Sequence, residues 1–335
     1  MSMLQLRALA LALCCFAAAV ASAAEPIKIG VVKTLAVGPI FVAVAHGDFA
    51  AAGLAPEIVY FDAAQPIAVA CAAGDIDFGV TGLSAAFYSL AGDGGLRIIA
   101  AGNREMPGFK NAGYLASNRA YEAGLRSLKD LAGHSVAVTQ RGGMLDYDLA
   151  LALERSHVDP TKVRILALQS NANMTSALAG GQTDAAVFPV TPAMVVLGKG
   201  SAKLLGWVGD IVPYGQANAA FTTRKIADGR TETVKRFLAA YEKGARAYHD
   251  AFAGANEERR DGPTAAAILA ILEKYTGEPA TAIDAAIPWV DAEARLDMAD
   301  IHHQIAWFRD QGMIKGAVDA DKIIDRRFVM PLPRP

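Results

Sequence analysis

Six short segments of the sequence have the composition of ligand-binding loops. They are residues 34–39, 62–66, 81–84, 140–144, 171–173 and 188–192. Each follows an apolar run typical of a strand and leads into a run typical of a helix, so each would expose the N–H groups of a helix start. Because a helix start carries roughly half a positive charge, such loops form an anion site when they face one another.

Arg141 would add a full positive charge to this group of loops. Its forked guanidinium fits a carboxylate or a sulfonate. The neighbouring Gly142 and Gly143 would let the backbone approach a ligand closely. A solvated arginine at the lip of the site and ordinary turn glycines are the structural alternatives, and the sequence leaves both open.

The remaining candidates are polar residues of the same loops and apolar residues beside them. Leu35, Phe188 and Tyr214 would bound an organic group, although each could belong to the core instead. Asp62 is expected to cap the helix that follows it, and so would not repel an anion. The complete set of predicted ligand-binding residues is Thr34, Leu35, Asp62, Gln65, Thr81, Ser84, Arg141, Gly142, Gly143, Asn171, Phe188, Thr191 and Tyr214.

Two patterns suggest catalysis, and structural roles explain both better. Ser84 sits in a degenerate nucleophile elbow, but Ala86 stands where that motif has glycine, and a hydroxyl at a helix start accounts for Ser84 equally well. Asp77 and Asp184 precede strands at the end opposite the loops, where turn hydrogen bonding is expected. The sequence has no phosphate loop, dinucleotide fingerprint or zinc spacing, so no catalytic residue, metal or cofactor is expected.

A repeat with an offset of 107 residues organises the elements that carry these loops. It brings Gly74 onto Gly181, Asp77 onto Asp184 and Val80 onto Val187, and the apolar strand around 29–31 onto that around 136–138. Two copies of a β-α-β-α-β unit predict an α/β fold with two lobes, each a mostly parallel sheet flanked by helices. The ligand would lie in the cleft between the lobes, beyond the carboxyl ends of the strands.

The strands outside the repeat indicate where the chain passes between the lobes. A strand at 112–116 is expected to leave lobe 1, and a strand at 219–223 to return to it. Lobe 1 then comprises residues 24–111 and 219–335, with the C-terminal helices, and lobe 2 comprises residues 112–218. Two crossings of this kind would act as a hinge.

Residues 1–23 have the composition of a signal peptide. Arg7 precedes a continuous apolar run, and Ala21-Ser22-Ala23 fits the small-residue cleavage rule. We expect cleavage near Ala23 or Ala24 and a periplasmic mature protein. The net charge of −2 and the lack of a basic run disfavour a nucleic-acid partner.

Several motifs resemble one family in residue type and order. They are Ile27-Lys28-Ile29-Gly30, Ala72-Ala73-Gly74-Asp75-Ile76-Asp77-Phe78-Gly79, Leu128-Lys129-Asp130-Leu131-Ala132-Gly133, Val136-Ala137-Val138, Trp307-Phe308-Arg309-Asp310-Gln311-Gly312-Met313-Ile314 and Phe328-Val329. Together they resemble the nitrate/sulfonate/taurine-type periplasmic substrate-binding proteins of ABC transporters. The resemblance implies a two-lobed type II periplasmic-binding-protein fold, a monomer that closes on a small molecule and delivers it to an ABC permease and ATPase at the inner membrane.

The ligand cannot be transferred from that family. Its loop after the second-lobe strand is often rich in Gly and Ser, whereas here residues 140–144 read Gln-Arg-Gly-Gly-Met. The arginine and the apolar candidates predict a small organic anion, either a sulfonate or a carboxylate, and the apolar residues could accommodate an aromatic group on it. The alternatives are an enzyme on the same fold, of the thiamine-pyrimidine synthesis type or a secreted hydrolase using Ser84, and a ligand-sensing partner of a membrane receptor.

Overall fold

A computed structural model of the chain describes residues 23–314 and 316–333, so most of the expected signal peptide lies outside the described residues. The strands are β1 (Glu25–Val32), β2 (Leu54–Phe61), β3 (Phe78–Thr81), β4 (Leu96–Ala101), β5 (Asn103–Arg104), β6 (Ala112–Ser117), β7 (Ser135–Val138), β8 (Arg164–Ala167), β9 (Ala185–Pro189), β10 (Ala202–Trp207), β11 (Ala219–Thr223) and β12 (Trp289–Val290).

The α-helices are α1 (Gly38–Ala45), α2 (Asp48–Ala51), α3 (Ala64–Ala73), α4 (Ala85–Gly92), α5 (Asn118–Glu122), α6 (Met144–Arg155), α7 (Asn171–Ala179), α8 (Val190–Gly198), α9 (Val208–Ile211), α10 (Arg224–Gly229), α11 (Thr231–Phe252), α12 (Ala265–Thr276), α13 (Ala280–Asp284), α14 (Met298–Asp310) and α15 (Ala320–Ile323). Short 3-10 helices span Leu35–Val37, Leu128–Asp130 and Pro160–Lys162.

The first sheet has the strand order β2-β1-β3-β11-β4. β1 pairs in parallel with β2 and β3, while β11 runs antiparallel to β3 and β4. Ile29 and Val31 of β1 and Phe78 and Val80 of β3 are fully buried. Because helices cover both faces of a mostly parallel sheet, such strands are apolar runs with little alternation, and this explains why the sequence marks them clearly.

The second sheet has the strand order β10-β6-β9-β7-β8. β7 pairs in parallel with β8 and β9, while β6 runs antiparallel to β9 and β10. Each sheet is therefore parallel except for one strand, and that strand adjoins a crossing of the chain. The predicted two-lobed α/β fold is confirmed.

The repeated acids tie strand starts together at the end opposite the loops. The carboxylate of Asp77 accepts a hydrogen bond from the N–H of Lys28 at 2.8 Å, and that of Asp184 accepts one from the N–H of Ser135 at 2.9 Å. Lys28 and Ser135 are themselves separated by the repeat offset. A structural role for the two acids is confirmed, but the predicted turn hydrogen bonding is not, because each acid bonds to a strand 49 residues earlier in the chain. The same contact fixes both copies of the unit.

The long helix α11 packs on the first sheet. The ring of Phe237 stacks on that of Phe78 in β3 with 4.0 Å between ring centroids. Close packing against α1 depends on Gly244, because a Cβ there would lie 2.3 Å from the carbonyl oxygen of Pro39. The C-terminal helices thus enlarge the first half of the molecule.

The two halves touch directly through the N-terminal part of α6. The buried ring of Tyr147 packs edge-on against Trp307 of α14, with 5.3 Å between centroids. Its hydroxyl lies 2.5 Å from Nδ1 of His303 and 3.3 Å from the carboxylate of Asp300. Nearby, the N–H of Ala85 in α4 donates to the Gly142 carbonyl at 2.8 Å. Helix α6 is therefore held by both halves of the molecule.

None of the helices in residues 23–314 and 316–333 combines the length and the apolar character that crossing a membrane requires.

Replacing Gly244 with alanine tests the contact between α11 and α1. A backbone carbonyl cannot move aside as a side chain can, so we expect Gly244→Ala to lower the free energy of unfolding by about 1–3 kcal/mol. Gly198→Ala is the matched control, because no atom lies within 4 Å of its Cβ position at the end of α8. That change should be neutral or stabilise by about 0.5–1 kcal/mol. Equal effects in denaturant titrations would refute the close approach.

Candidate functional site

A cavity of about 120 Å³ lies between the two sheets. Its walls come from the segments after β1, β2 and β3 on one side and after β7, β8 and β9 on the other. The chain crossings near β5, β6 and β11 complete it. Because these segments follow the carboxyl ends of parallel strands, the cavity occupies the position where open α/β sheets bind ligands.

Five predicted residues line this cavity together. Thr34, Asp62 and Thr81 come from the first half of the molecule, and Gly143 and Asn171 come from the second. They belong to five separate loops that together span 34–171 of the sequence. The fold brings those loops to one place, as the repeat predicted for strand ends of the same kind.

Asp62 has a different role from the predicted one. The cap position of α3 is Ala63, and no side chain makes a capping hydrogen bond there. The prediction that Asp62 caps this helix is wrong, because the helix begins one residue too late for the Asp62 side chain to reach its first N–H groups. Asp62 is exposed and lines the cavity instead.

Arg141 does not line the cavity. Its Nε donates to the Asp146 carboxylate at 2.9 Å, and the N–H of Gly142 donates to the same oxygen at 2.8 Å. Asp146 is buried in the first turn of α6, whereas the Arg141 side chain is about half exposed. The guanidinium therefore neutralises a local carboxylate, and Gly142 serves the same turn.

Three further candidates are core residues. Leu35, Ser84 and Phe188 are each at most 1% exposed. The hydroxyl oxygen of Ser84 accepts a hydrogen bond from the N–H of Phe87 at 3.2 Å and so caps α4. This is the structural alternative to a nucleophile that the sequence offered.

The last three candidates lie away from the cavity wall. Gln65 is exposed on α3, and the hydroxyl oxygen of Thr191 accepts the N–H of Leu35 at 3.5 Å. Tyr214 is 50% exposed and sits over Arg104, with 5.5 Å between the guanidinium carbon and the ring centroid. Tyr214 lines a separate groove beside α6 and α14.

Several polar lining residues are absent from the predicted set. Asn103, Asn111 and Asn218 lie on the segments that join the halves, and Gln140 and Asp148 flank the start of α6. The three asparagines could have been predicted from the sequence, because any segment that crosses between the lobes must pass the cleft. Their amides fall outside the repeat that guided the selection.

Four lining residues carry buried atoms that lack a hydrogen-bond partner within the described part of the chain. They are Oδ1 of Asn103, Asn171 and Asn218, and Nε2 of Gln140. Leaving such a group unsatisfied costs about 1–3 kcal/mol, so polar atoms of this kind normally bond to a ligand or to water. The Asn218 amide nitrogen donates to the Ala36 carbonyl at 3.3 Å, and this contact orients its oxygen as a free acceptor.

The charged side chains of the cavity wall are acidic. Asp62 and Asp148 line it, and the described lining residues include no Lys, Arg or His. Burial raises the pKa of Asp148 well above its usual range, and the charges of Glu105 and Asp300 raise it further. Positive potential in the cavity therefore comes from the helix starts and not from a cationic side chain.

Within the described residues, no group of three or more His, Cys, Asp or Glu side chains is arranged to hold a metal ion.

Solved structures with the same fold include both binding proteins and an enzyme. The periplasmic aliphatic sulphonate binding protein SsuA from Escherichia coli is 20% identical, with a TM-score of 0.69 over 93% of this chain and 94% of its own. The periplasmic nitrate-binding protein NrtA from Synechocystis PCC 6803 is 14% identical, with a TM-score of 0.72 over 91% of this chain and 87% of its own.

The desulfurization enzyme DSZB is 14% identical, with a TM-score of 0.64 over 92% of this chain and 96% of its own. Identities this low establish a common fold and leave the ligand open.

No curated protein sequence matches the chain. The profile of the NMT1/THI5-like family matches residues 35–252, which is more than half of the chain. The family resemblance predicted from the sequence motifs is thereby confirmed, and the chain belongs to the NMT1/THI5-like family.

Proposed function

We propose that this protein is the extracytoplasmic solute-binding component of an ABC importer and captures a small polar organic molecule in the cavity between its sheets. The observation that carries the proposal is the set of four unpartnered amide atoms that converge there from both halves of the molecule. A ligand that contacts both sheets at once would satisfy them, which is how a two-lobed binding protein couples capture to closure. The binding proteins that share the fold support this role.

The ligand class follows from the cavity wall. A sulfonate or carboxylate was expected because of Arg141, which is engaged with Asp146 instead. An anion would depend on helix starts alone and would face Asp62 and Asp148. The wall suits a molecule that offers hydrogen-bond donors to three amide oxygens, with an acceptor for Gln140.

Location and partners follow from the proposed role. The signal peptide expected at residues 1–23 would direct the protein to the periplasm, where it would act as a monomer. Its partners would be an ABC permease and ATPase at the inner membrane. The hinge would lie at the crossings near 112–116 and 219–223, with residues 112–218 moving as one unit.

The enzyme alternative has a fold relative in the desulfurization enzyme. Ser84 is the residue on which a hydrolase would depend, and it is buried, caps α4 and does not line the cavity. A binding role requires no nucleophile, so it is compatible with a cavity wall that does not include Ser84.

A thermal-shift screen of amines, amides, sulfonates, carboxylates and inorganic anions tests the binding role. A ligand at about 100 times its dissociation constant adds about 2.7 kcal/mol to the stability of the folded state, which is a clear shift in melting temperature. We expect one molecule bound per chain and recovered unchanged by mass spectrometry. Chemical conversion that Ser84→Ala abolishes would instead establish an enzyme.

Variants of the cavity wall locate the ligand once a hit is found. Asn218→Ala removes an acceptor and should cost about 0.5–1.5 kcal/mol of binding free energy. Arg141→Ala is the control, because its side chain faces Asp146 and not the cavity, so affinity should stay at the parent value. If calorimetry shows the reverse order, the ligand binds through Arg141 and is an anion.

Tyr147 provides a test of the hinge that needs no ligand. Tyr147→Ala removes the buried ring that joins α6 to α14, so the ligand-free protein should open and its radius of gyration in small-angle scattering should increase. Tyr147→Phe keeps the ring contacts and should remain close to the parent. Identical radii for all three proteins would contradict a hinge closed by this contact.

A further inference from the structure

We propose that binding in this cavity releases a proton from a buried acid pair, Glu105 and Asp148, and that the site therefore selects a ligand with a cationic, hydrogen-bond-donating group. The inference rests on the proposed function, in that this cavity is taken as the ligand site. It adds the charge of the recognised group and the proton that leaves when that group enters. Three features of the structure support it: a relay of amides, a buried carboxyl in the wall, and the absence of a cation facing the pair among the residues that the structure describes.

The relay leads from the cavity wall to Glu105. Nδ2 of Asn111 donates to the Glu105 carboxylate, and Nδ2 of Asn103 donates in turn to Oδ1 of Asn111. Oε1 of Glu105 accepts the hydrogen bond from Asn111, while Oε2 is buried without a partner among the described residues and can carry a proton. The contact therefore fixes the direction of both amides whether or not the carboxyl is protonated. The relay therefore ends with Oδ1 of Asn103 as a buried acceptor in the wall, without a partner among the described residues.

Asp148 supplies the second acid and lines the cavity itself. The residue is only 4% exposed, so a charge there has little access to solvent. Oδ1 of Asn218 offers another acceptor in the same cavity. A group that donates several hydrogen bonds and carries positive charge would satisfy these acceptors and neutralise the acid, whereas an anion would meet only acceptors and a carboxyl.

The charges that act on the pair are themselves acidic. Asp210 faces Glu105, and Asp300 together with Glu105 acts on Asp148. Burial and these like charges raise the pKa of Glu105 to about 8, although the hydrogen bond from Asn111 opposes the shift. The same two causes raise the pKa of Asp148 well above its usual range. In the free protein near neutral pH, the pair therefore holds a proton.

The nearest basic and phenolic groups do not neutralise the pair. Arg104, the residue before Glu105, pairs with Asp297 and stacks on Tyr214. The hydroxyl of Tyr114 donates to the backbone carbonyl of Asp148 at 2.8 Å, and burial keeps that phenol protonated. Since no cation in the described part of the chain acts on either acid, a positive charge beside the pair would come from the ligand.

Linkage fixes the sign of the pH dependence. A cation beside the acids stabilises their ionised form, so the pKa of the pair is lower in the complex than in the free protein. Binding then expels one proton, and affinity rises with pH below the free-protein value of about 8 for Glu105 and levels off above it. An anionic ligand would show the opposite trend.

Three probes of nearly the same shape separate charge from fit: benzamidinium, benzamide and benzoate. The cavity of about 120 Å³ is smaller than a cavity of about 150 Å³ that accepts benzene, and it opens to solvent, so the end group of each probe would enter it and the ring would lie at its opening. Benzamidinium should bind most tightly and benzoate least. The affinity of benzamidinium should rise about tenfold per pH unit between about pH 6 and 8, the slope of a single linked proton. Calorimetry in two buffers of different ionisation enthalpy should show about one proton released.

Two isosteric variants connect the pH dependence to the pair. Glu105→Gln and Asp148→Asn remove one titrating group each, and either should flatten the pH dependence of benzamidinium affinity. Asp62→Asn is the matched control, because Asp62 lines the same cavity but is exposed. It should lower the affinity slightly at every pH and keep the slope. Circular dichroism confirms that each variant is folded.

Three results would overturn the inference. They are no benzamidinium binding up to its solubility limit, benzoate binding at least as tightly as benzamidinium, and a pH-independent affinity in the parent protein. Failure of the underlying function looks different. In that case the wider thermal-shift screen finds no stabilising compound of any charge, whereas an overturned inference leaves a ligand of another class bound in the cavity.

Discussion

The two segments that join the sheets are hydrogen-bonded to each other where they pass, and the site depends on this junction. The N–H of Gly102 donates to the Asn218 carbonyl at 2.8 Å, and the N–H of Asn218 donates to the Asn103 carbonyl at 3.2 Å. A Cβ on Gly102 would lie 1.8 Å from Oδ1 of Asn218, so only glycine allows this approach. Because the backbones satisfy each other, the two asparagine side chains are free to reach the cavity.

The polar lining around that junction differs from the lining expected of an anion site. The parallel strands bring the loops to one place, where the polar residues of the cavity wall are amides, hydroxyls and acids, and Arg141 is held by Asp146 instead. The sulphonate-binding, nitrate-binding and desulfurization proteins that share the architecture show that its outline alone does not define the chemistry.

The sheets, the helix stops and the crossing strands could be predicted because their causes are local. Gly74 adopts the left-handed conformation, with φ of 87°, that ends α3, and the repeat brings Gly181 to the same conformation, with φ of 67°. The place of Arg141 could not be predicted, since it depends on which of two partners, a ligand or Asp146, lies closer in space. The amides at the crossings could not be predicted from the repeat, because they occur once and take part in no repeated pattern.

The contact of Tyr147 with α14 also bears on the proposed binding function. The ring is buried by contacts within the chain itself, so the free energy with which they hold the two halves together does not depend on a solute. In a protein that binds between two lobes, such a contact would favour the closed form and strengthen the apparent affinity, since less of the binding energy is used for closure. Filling the cavity would then change the outer shape only modestly. A membrane permease would then distinguish the loaded protein from the empty one less by its shape than by the free energy needed to separate its lobes.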